Sequence, residues 1–345
     1  MAKLIREFRE FNDEIKIDTE AEALRAKRDK LKQDFKDYFP GECSSYNISI
    51  TASSMEFINQ GSYKIGTTIK NPNGNVDLDL AVIFPLDKDK HDDPRQVKKA
   101  ARESLLIKNV RIPRIKEPCV TVGYHSAGEE YMHIDFPLYA KCNGKLYLAR
   151  GKEFSSDYEW EEADPVGLSD YFLGEFKDKE QLRRVVRYIK KWKQIKYEGS
   201  TNSHEIPPSI ALTIWACRNF VPAKDGESDY DLKSLFETLN AIKDQFAVWE
   251  YNDDGSIKKV LVTCELPVTP CTDILYKMRD SDAHLITLYN RLTTAVKNLK
   301  EAVELSSEHE AGLCVQKVLG DDFTVPEKTT KASAYVGPKE HNFGQ

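Results

Sequence analysis

The sequence predicts a first part of the α+β or α/β class, which contains both strands and helices, followed by a domain built from helices. Two patterns indicate this order. Short apolar runs that are typical of strands are concentrated before residue 160, with helical segments among them. Farther along the chain, the apolar residues recur mostly at helical spacing. We therefore expect a core at residues 1–160, a helical domain at residues 161–323 and a flexible tail at residues 324–345.

The elements of the core follow from local signals. Thr19-Glu20-Ala21-Glu22 fits a capping box at the start of a long amphipathic helix, and Pro40-Gly41 is expected to end it. The apolar residues at helical spacing in this helix are Leu24, Leu31, Phe35 and Tyr38. Downstream, we expect strands at 47–51, 76–84, 120–124 and 133–139, and a helix at 94–108.

The second part of the chain is expected to contain four long helices, at 181–197, 209–220, 232–246 and 281–305. Past Phe323 the sequence has little apolar periodicity. It contains Pro326, Gly337, Pro338 and Gly344 instead. This composition predicts a tail without a fixed structure.

Composition excludes several classes of protein. The net charge of −6 argues against an extended nucleic-acid surface. No stretch approaches the ~20 apolar residues that span a bilayer, and the first residues lack an apolar signal run, so we expect a cytoplasmic protein without a membrane partner. The seven cysteines lack the spacing of a zinc site, and we expect reduced, mostly buried thiols.

Three aspartates form the first chemical signal. In the segment 76–84 the even-numbered positions are apolar, so Asp77 and Asp79 share the opposite face of a strand. Their Cα atoms would lie roughly 6.5 Å apart, which lets both carboxylates reach the same small cations. A third carboxylate, Asp135, lies inside another apolar strand. We expect these three to hold Mg²⁺, because so many close negative charges otherwise repel one another.

The segment 60–68 supplies the second signal, since Gly61 and Ser62 begin a turn with free backbone amides and hydroxyls that can bind a triphosphate. Each signal has an ordinary structural explanation when taken alone. A pair of aspartates on a strand is usually a solvated face, and a Gly-Ser turn is usually only a turn. The order Gly-Ser, paired aspartates, later single aspartate is much more specific.

With these residues, the chain resembles the DNA polymerase β-like nucleotidyltransferase superfamily, whose motif has this order. More narrowly, it resembles the bacterial cGAS/DncV-like nucleotidyltransferases, the signal synthases of CBASS anti-phage defence. This resemblance implies an α+β fold: a polymerase β-like core with a mixed sheet and helices, and a C-terminal helical domain, with the active site in the cleft between them. The segments that carry it, within residues 20–323, are 61–67, 77–79, 187–192, 208–209, 266–268, 273–274 and 318–323.

The family resemblance also implies roles for particular residues. Asp77, Asp79 and Asp135 would be the catalytic residues and the ligands of two Mg²⁺ ions, for which Mn²⁺ can substitute. Gly61 and Ser62 would bind the nucleoside triphosphate, as would two residues of the helical part, Lys190 and Ser209. In the helix 181–197 a basic stripe lies opposite an apolar one, and pattern alone favours a solvated face there. The resemblance favours a phosphate-binding role for Lys190.

The activity implied is synthesis of a cyclic di- or trinucleotide from nucleoside triphosphates, ATP and/or GTP, by attack of a ribose hydroxyl on the donor α-phosphate. Linear oligonucleotide synthesis, RNA tailing and an inactive nucleotide-binding regulator are the alternatives. Activation by duplex DNA is not expected, because a Cys/His zinc ribbon and a strongly basic face are both missing. Tyr63, Tyr197 and Tyr230 are candidates for holding the bases. The tail is a candidate site for a CBASS accessory protein.

Overall fold

The structure, a computed structural model, describes residues 2–17, 21–70, 76–126 and 129–328. The helices in these ranges are α1 Ile5–Ile15, α2 Ala21–Ser44, α3 Gly61–Lys64, α4 Arg95–Leu105, α5 Pro165–Glu175, α6 Glu180–Lys196, α7 Ser209–Arg218, α8 Asp231–Lys243, α9 Asp282–Glu304 and α10 Glu308–Leu319. The strands are β1 Glu56–Gln60, β2 Val76–Pro85, β3 Arg114–Ile115, β4 Val120–Ser126, β5 Glu129–Phe136, β6 Leu138–Cys142, β7 Lys145–Ala149, β8 Trp160–Ala163, β9 Lys224–Asp225, β10 Ser228–Asp229, β11 Ala247–Tyr251 and β12 Ile257–Leu261.

Eight strands form one mixed sheet, in the order β3-β4-β5-β2-β6-β7-β8, with β1 antiparallel to β2. The strand β2 is central, because both β5 and β6 run parallel to it. Their register is continuous across Pro137, since Asp79 pairs with Asp135 and Val82 pairs with Leu138. The expected strand at 133–139 therefore exists, but as two strands that Pro137 separates, because proline lacks the N–H that a ladder needs.

The helices α2 and α4 cover one face of this sheet. The hydrophobic core of the first part lies between these helices and the sheet. The alternation in β2 has the predicted effect: Leu78, Leu80, Val82 and Phe84 are all buried in this core. In α2 the predicted Leu24, Leu31 and Phe35 are buried, but Tyr38 is exposed and Phe39 is buried in its place. The helix also continues past Pro40 to Ser44, so Pro40-Gly41 does not end it.

Other local predictions were corrected by the structure. Residues 47–51 form no strand, although Ile48 and Ile50 are buried as an alternating pattern suggests. The strands β1, β7 and β8 were not predicted, and neither were α1, α5 and α10. The expected strands at 76–84 and 120–124 and the helix at 94–108 correspond to β2, β4 and α4. The capping box falls partly on residues 18–20, which lie outside the described residues.

The helical part contains α5 to α10, and its four predicted long helices correspond to α6, α7, α8 and α9. The N-terminal helix α1 also packs in the helical part, although its residues lie within the range 1–160 that was expected to form the first core. Phe8 and Phe11 of α1 contact the rings of Tyr188 and Phe323 at centroid distances of 5.2–5.8 Å. The start of the chain thus belongs to the hydrophobic core of the helical part.

The expected tail begins with an ordered contact. The carbonyl of Pro326 lies 2.7 Å from the His309 Nδ1 atom, and the Pro326 ring packs against Gly312. Residues 329–345 lie outside the described residues. The described cysteines are free thiols, of which Cys142 is partly exposed, Cys271 is exposed and the others are buried. None of the described helices combines the length and the hydropathy needed to cross a bilayer.

Candidate active site

The three predicted aspartates lie next to one another on the sheet. Asp77 and Asp79 are on β2, and Asp79 pairs in parallel register with Asp135 of β5. Neighbouring strands are about 4.8 Å apart, so the two carboxylates point from adjacent positions to the same face. The Thr121 hydroxyl of β4 donates a hydrogen bond of 2.6 Å to the Asp135 carboxylate and orients it. Asp77 is half-exposed, and its carboxylate lies 3.2 Å from His133 Nε2.

The predicted Gly61-Ser62 turn packs directly onto these carboxylates. Gly61 begins α3 with a φ of +66°. A Cβ atom at this position would lie 2.9 Å from Asp79 Cγ and closer still to a carboxylate oxygen. Ser62 Oγ shares a 3.0 Å hydrogen bond with Thr68 Oγ1, and Ser62 O accepts one of 2.9 Å from the Thr67 N–H. Position 61 therefore requires glycine, both for its positive φ and for its lack of a side chain.

The electrostatics of the site are suited to a divalent cation. Burial and the charges of Asp135 and Asp77 raise the pKa of Asp79 to about 7, and Lys116 and Lys190 offset this only in part. Excess negative charge and oxygen-only donors are what Mg²⁺ sites provide. Within the described residues, no three His, Cys, Asp or Glu side chains already form a metal-binding cluster. The oxygen donors of the three aspartates fit the ion in chemistry and charge.

The basic face of α6 is not solvated, since Arg187, Lys190 and Lys191 are all buried. Lys190 Nζ donates hydrogen bonds of 3.0 Å to both the carbonyl and the hydroxyl of Thr67. Arg187 donates one of 2.7 Å to the Gly66 carbonyl. Burial, Lys193 and Arg187 lower the pKa of Lys190 to about 7. These contacts connect the helical part to the loop that follows Gly61 and Ser62.

A second lysine on the same helix, Lys193, also lines the site, and it is not among the residues that the sequence predicts for the site. Lys193 Nζ donates a hydrogen bond of 2.6 Å to the hydroxyl of Ser209, at the start of α7. Burial lowers the pKa of Lys193 to about 8. Its position three residues after Lys190, and hence on the same helical face, was the signal available in the sequence. Both Lys193 and Ser209 face the site.

The carboxylates, the Gly61-Ser62 turn and the two lysines Lys190 and Lys193 line one cleft of about 750 Å³ between the two parts of the chain. The predicted site residues in its wall are Gly61, Ser62, Asp77, Asp79, Asp135, Lys190 and Ser209. Leu266, Val268 and Ile274 line the cleft too. They lie in two segments that carry the family resemblance but have no obvious chemical role. The volume lies within the range of roughly 300–1,000 Å³ that is usual for ligand sites.

The aromatic residues suggested for base binding lie elsewhere. Tyr63 accepts a hydrogen bond from Arg25, Tyr197 packs under Arg291, and the Tyr230 hydroxyl donates to the carbonyl of Ala2. The tyrosines and phenylalanines that do line the cleft, among the described residues, are Tyr139, Phe172 and Tyr276. The choice of aromatic residues depends on the tertiary structure and has no local signal.

Replacing Lys193 with methionine is expected to weaken nucleoside triphosphate binding by about tenfold or more, the effect of losing one charge-assisted hydrogen bond of roughly 1.5–3 kcal/mol. Since the pKa of Lys193 is about 8 in the free protein, binding to the wild type should also weaken as the pH rises past 8. This pH dependence should be flatter in Lys193→Met. Equilibrium titration with a non-hydrolysable triphosphate at pH 7 and pH 9 measures both effects.

Lys191→Met is the matched control, because Lys191 is on the same helix but pairs with Asp322, 2.5 Å away. It does not line the cleft. Equal weakening by both substitutions would contradict a specific role for Lys193.

Known proteins match this region of the chain. Residues 55–139, which contain the Gly61-Ser62 turn and the three aspartates, match the family model described as cyclic GMP-AMP synthase DncV-like, nucleotidyltransferase domain. A Cyclic GMP-AMP synthase of Escherichia albertii is 29% identical over 171 residues, which are 46% of this chain and 36% of that protein. The match thus spans little more than a third of the relative's length.

Solved structures share the fold over most of the chain. The GTP-bound form of Vibrio cholerae DncV has a TM-score of 0.70 at 17% identity, covering 93% of this chain and 96% of that one. Vibrio cholerae DncV cyclic AMP-GMP synthase with the linear intermediate pppA(3′,5′)pG has a TM-score of 0.64 at 18% identity, with the same coverages of 93% and 96%. The predicted architecture, a mixed-sheet core followed by a helical domain, is confirmed by this likeness, and residues 55–139 match the family model of the DncV-like nucleotidyltransferase domain.

Proposed function

We propose that this chain is a Mg²⁺-dependent nucleotidyltransferase that makes a cyclic di- or trinucleotide from nucleoside triphosphates, ATP and/or GTP. The observation that carries the proposal is the parallel pairing of Asp79 with Asp135, directly against the backbone of Gly61 and inside one cleft. Lys193 and Ser209 line the same cleft from the helical part. A triphosphate held between these two walls would present its α-phosphate to the carboxylates.

The reaction exchanges one P–O bond for another. The acceptor ribose hydroxyl loses its proton and its oxygen bonds to the α-phosphorus, while the bond from that phosphorus to the β-phosphate oxygen breaks and pyrophosphate leaves. Mg²⁺, when bound, would neutralise the triphosphate and lower the pKa of the attacking hydroxyl. Asp77, Asp79 and Asp135 would be its ligands, and Thr121 orients one of them.

The rest of the work proposed for the protein is positioning. The backbone N–H groups at Gly61 and Ser62 would bind the β- and γ-phosphates, and Lys193 would neutralise them from the opposite wall. Lys190 would act on the same phosphates through the loop that it holds at Thr67. Tyr139, Phe172 and Tyr276 offer surfaces for the bases.

Closure of a ring requires that a linear product stay in the cleft and present its own ribose hydroxyl to the remaining triphosphate. The curated relative is named a cyclic GMP-AMP synthase, and one DncV structure contains a linear pppA(3′,5′)pG intermediate. Their names support a cyclic product, and the GTP-bound form of DncV supports GTP as one substrate. A role in bacterial anti-phage signalling follows from the same resemblance, and the site of action would be the cytoplasm.

The test is to incubate the purified protein with all four labelled nucleoside triphosphates and Mg²⁺, treat the products with phosphatase and identify them by mass. The Asp77→Ala/Asp79→Ala double variant is the control. A small, phosphatase-resistant product that the control lacks is the expected result. Replacing Mg²⁺ with Mn²⁺ should preserve the activity, and chelation with EDTA should remove it.

Other outcomes distinguish the alternatives. Phosphatase-sensitive short products would indicate linear oligonucleotide synthesis, and long labelled polymers would indicate RNA tailing. Absence of product together with measurable triphosphate binding would favour a nucleotide-binding regulator or a missing activator. Deleting residues 329–345 and measuring binding of a CBASS accessory protein would test whether the tail recognises such a partner; unchanged binding would contradict that proposal.

A further inference from the structure

One fully buried lysine has no role in the reaction proposed above. Lys98 lies on α4, beneath the sheet, and none of its surface is exposed. Its ammonium donates three hydrogen bonds to backbone carbonyls, to Lys116 at 2.6 Å, to Glu117 at 2.6 Å and to Gly151 at 2.7 Å. An ammonium has three donors, so every proton of this group is used.

The three carbonyls belong to two segments that are hydrogen-bonded to each other. The segment 116–119, here called the 116–119 turn, connects β3 to β4, and the Lys116 N–H donates to the Cys119 carbonyl at 2.9 Å. The Gly151 N–H, just after β7, donates to the Glu117 carbonyl at 3.0 Å. Lys98 therefore joins a turn and a strand end that are far apart in the sequence.

Side chains of the 116–119 turn reach the candidate active site from one direction and the helical part from another. Lys116 Nζ lies 3.5 Å from the Asp135 carboxylate. Glu117 pairs with Arg150 of the strand end, and its second oxygen lies 2.8 Å from Lys277 of the helical part. Pro118 is in the wall of the cleft. This turn therefore contacts both the Asp135 carboxylate and the helical part of the chain.

We propose that Lys98 is a positioning residue of the nucleotidyltransferase site, which holds the 116–119 turn so that Lys116 faces Asp135 and Glu117 meets Lys277. The catalytic consequence rests on the function proposed above. The mechanical part does not, because it concerns only the turn and its hydrogen bonds.

The chemistry of the contact explains why a lysine is placed here in spite of its cost. Burying an ammonium is unfavourable, and burial lowers the pKa of Lys98 to about 8. Three carbonyl oxygens converge on one point in the interior, and removing the ammonium would take this donor from each of them, which is also costly. A methionine would fill the same space but donate no hydrogen bond. The Lys98→Met variant therefore separates the contribution of the hydrogen bonds from the contribution of packing.

The experiment compares Lys98→Met and Lys98→Gln with the wild type by hydrogen–deuterium exchange and steady-state kinetics. Gln retains two donors and should give an intermediate result, which keeps the test informative where the methionine variant folds poorly. Lys99→Met is the matched control, since this neighbouring lysine is partly exposed. The amides of Lys116 and Gly151 should exchange at least about tenfold faster in Lys98→Met, with α6 unchanged, because local opening is limited by these bonds.

The kinetic result should be a kcat lower by about 10- to 100-fold, the size of effect usual for residues that orient catalytic ligands, with KM for the triphosphates changed less than about twofold. Lys116→Met should have little further effect in the Lys98→Met background. Unchanged exchange at the turn, or faster exchange with a normal kcat, would overturn the proposal. A wild type that forms no product and binds no triphosphate would refute the proposed function alone, and the exchange result would still decide whether Lys98 holds the turn.

Discussion

Asp79→Asn is expected to abolish nucleotide transfer, with kcat lowered by at least about 10³-fold, because the substitution removes the central charge of the proposed Mg²⁺ site. Asp79 lies between the other two carboxylates, on the same strand as Asp77 and in register with Asp135. Asparagine has the same shape, so the backbone of Gly61 keeps its contact. Product formation at saturating triphosphate and Mg²⁺ is the measurement.

The same substitution should stabilise the metal-free protein. Burial and the charges of Asp135 and Asp77 raise the pKa of Asp79 from 3.8 in a model compound to about 7. Between these two values the unfolded chain has released its proton while the folded protein still holds it. The wild type therefore loses stability as the pH rises from 4 to 7, and Asp79→Asn does not lose this contribution.

Thermal unfolding of both proteins in EDTA at pH 4 and pH 8 tests this result. The variant should have the higher midpoint at pH 8, and the difference should be smaller at pH 4. Addition of Mg²⁺ at pH 8 should stabilise the wild type more than the variant, since a bound cation relieves the same repulsion. A variant that is less stable than the wild type at pH 8 without Mg²⁺ would contradict the electrostatic account.

Gly61→Ala is expected to have the second-largest effect, with transfer reduced by about 10²- to 10³-fold, the cost of misplacing groups that stabilise a transition state. The new Cβ would lie 2.9 Å from Asp79 Cγ and would displace either that carboxylate or the turn. Alanine at a φ of +66° also costs about 1–2 kcal/mol of conformational energy. Both activity and the free energy of unfolding should therefore fall.

Gly144→Ala separates these two causes. Gly144 has a φ of +78° in the turn between β6 and β7, and a Cβ there would meet nothing within 4 Å. This control should lose a similar amount of stability and retain its activity. Denaturant titration and product formation, measured on both variants, make the comparison. Normal transfer by Gly61→Ala, or an equal loss by Gly144→Ala, would refute the requirement for close packing against Asp79.

Much of the candidate site was predictable because its signals are local. Side chains alternate along a strand with a period of two, so the apolar positions of 76–84 also determined the face on which Asp77 and Asp79 lie. In the structure, the parallel register of β2 and β5 places Asp135 beside Asp79. The long helices of the second part were equally evident, since each carries an apolar stripe over many turns.

Elements without such a stripe were missed or misplaced. Ile48 and Ile50 are buried without being in a strand, and the strand β1, only partly buried, has no clear alternation. Pro40 lies near the C-terminal end of α2, where the helix tolerates it and continues to Ser44. Local sequence patterns predict which residues are buried. They do not predict whether the backbone of a buried segment hydrogen-bonds to another strand.

The sequence by itself determined the fold class, the three aspartates, the Gly61-Ser62 turn and the helix that faces them. Only the tertiary structure decided how the basic residues divide their roles. Lys190 donates hydrogen bonds to Thr67, Lys193 donates one to Ser209 of the neighbouring helix α7, and Lys98 binds carbonyls from two distant segments. The physical reason is that the neighbouring sequence does not distinguish these three lysines. The hydrogen-bond partner of each is determined by contacts between residues that are far apart in the chain.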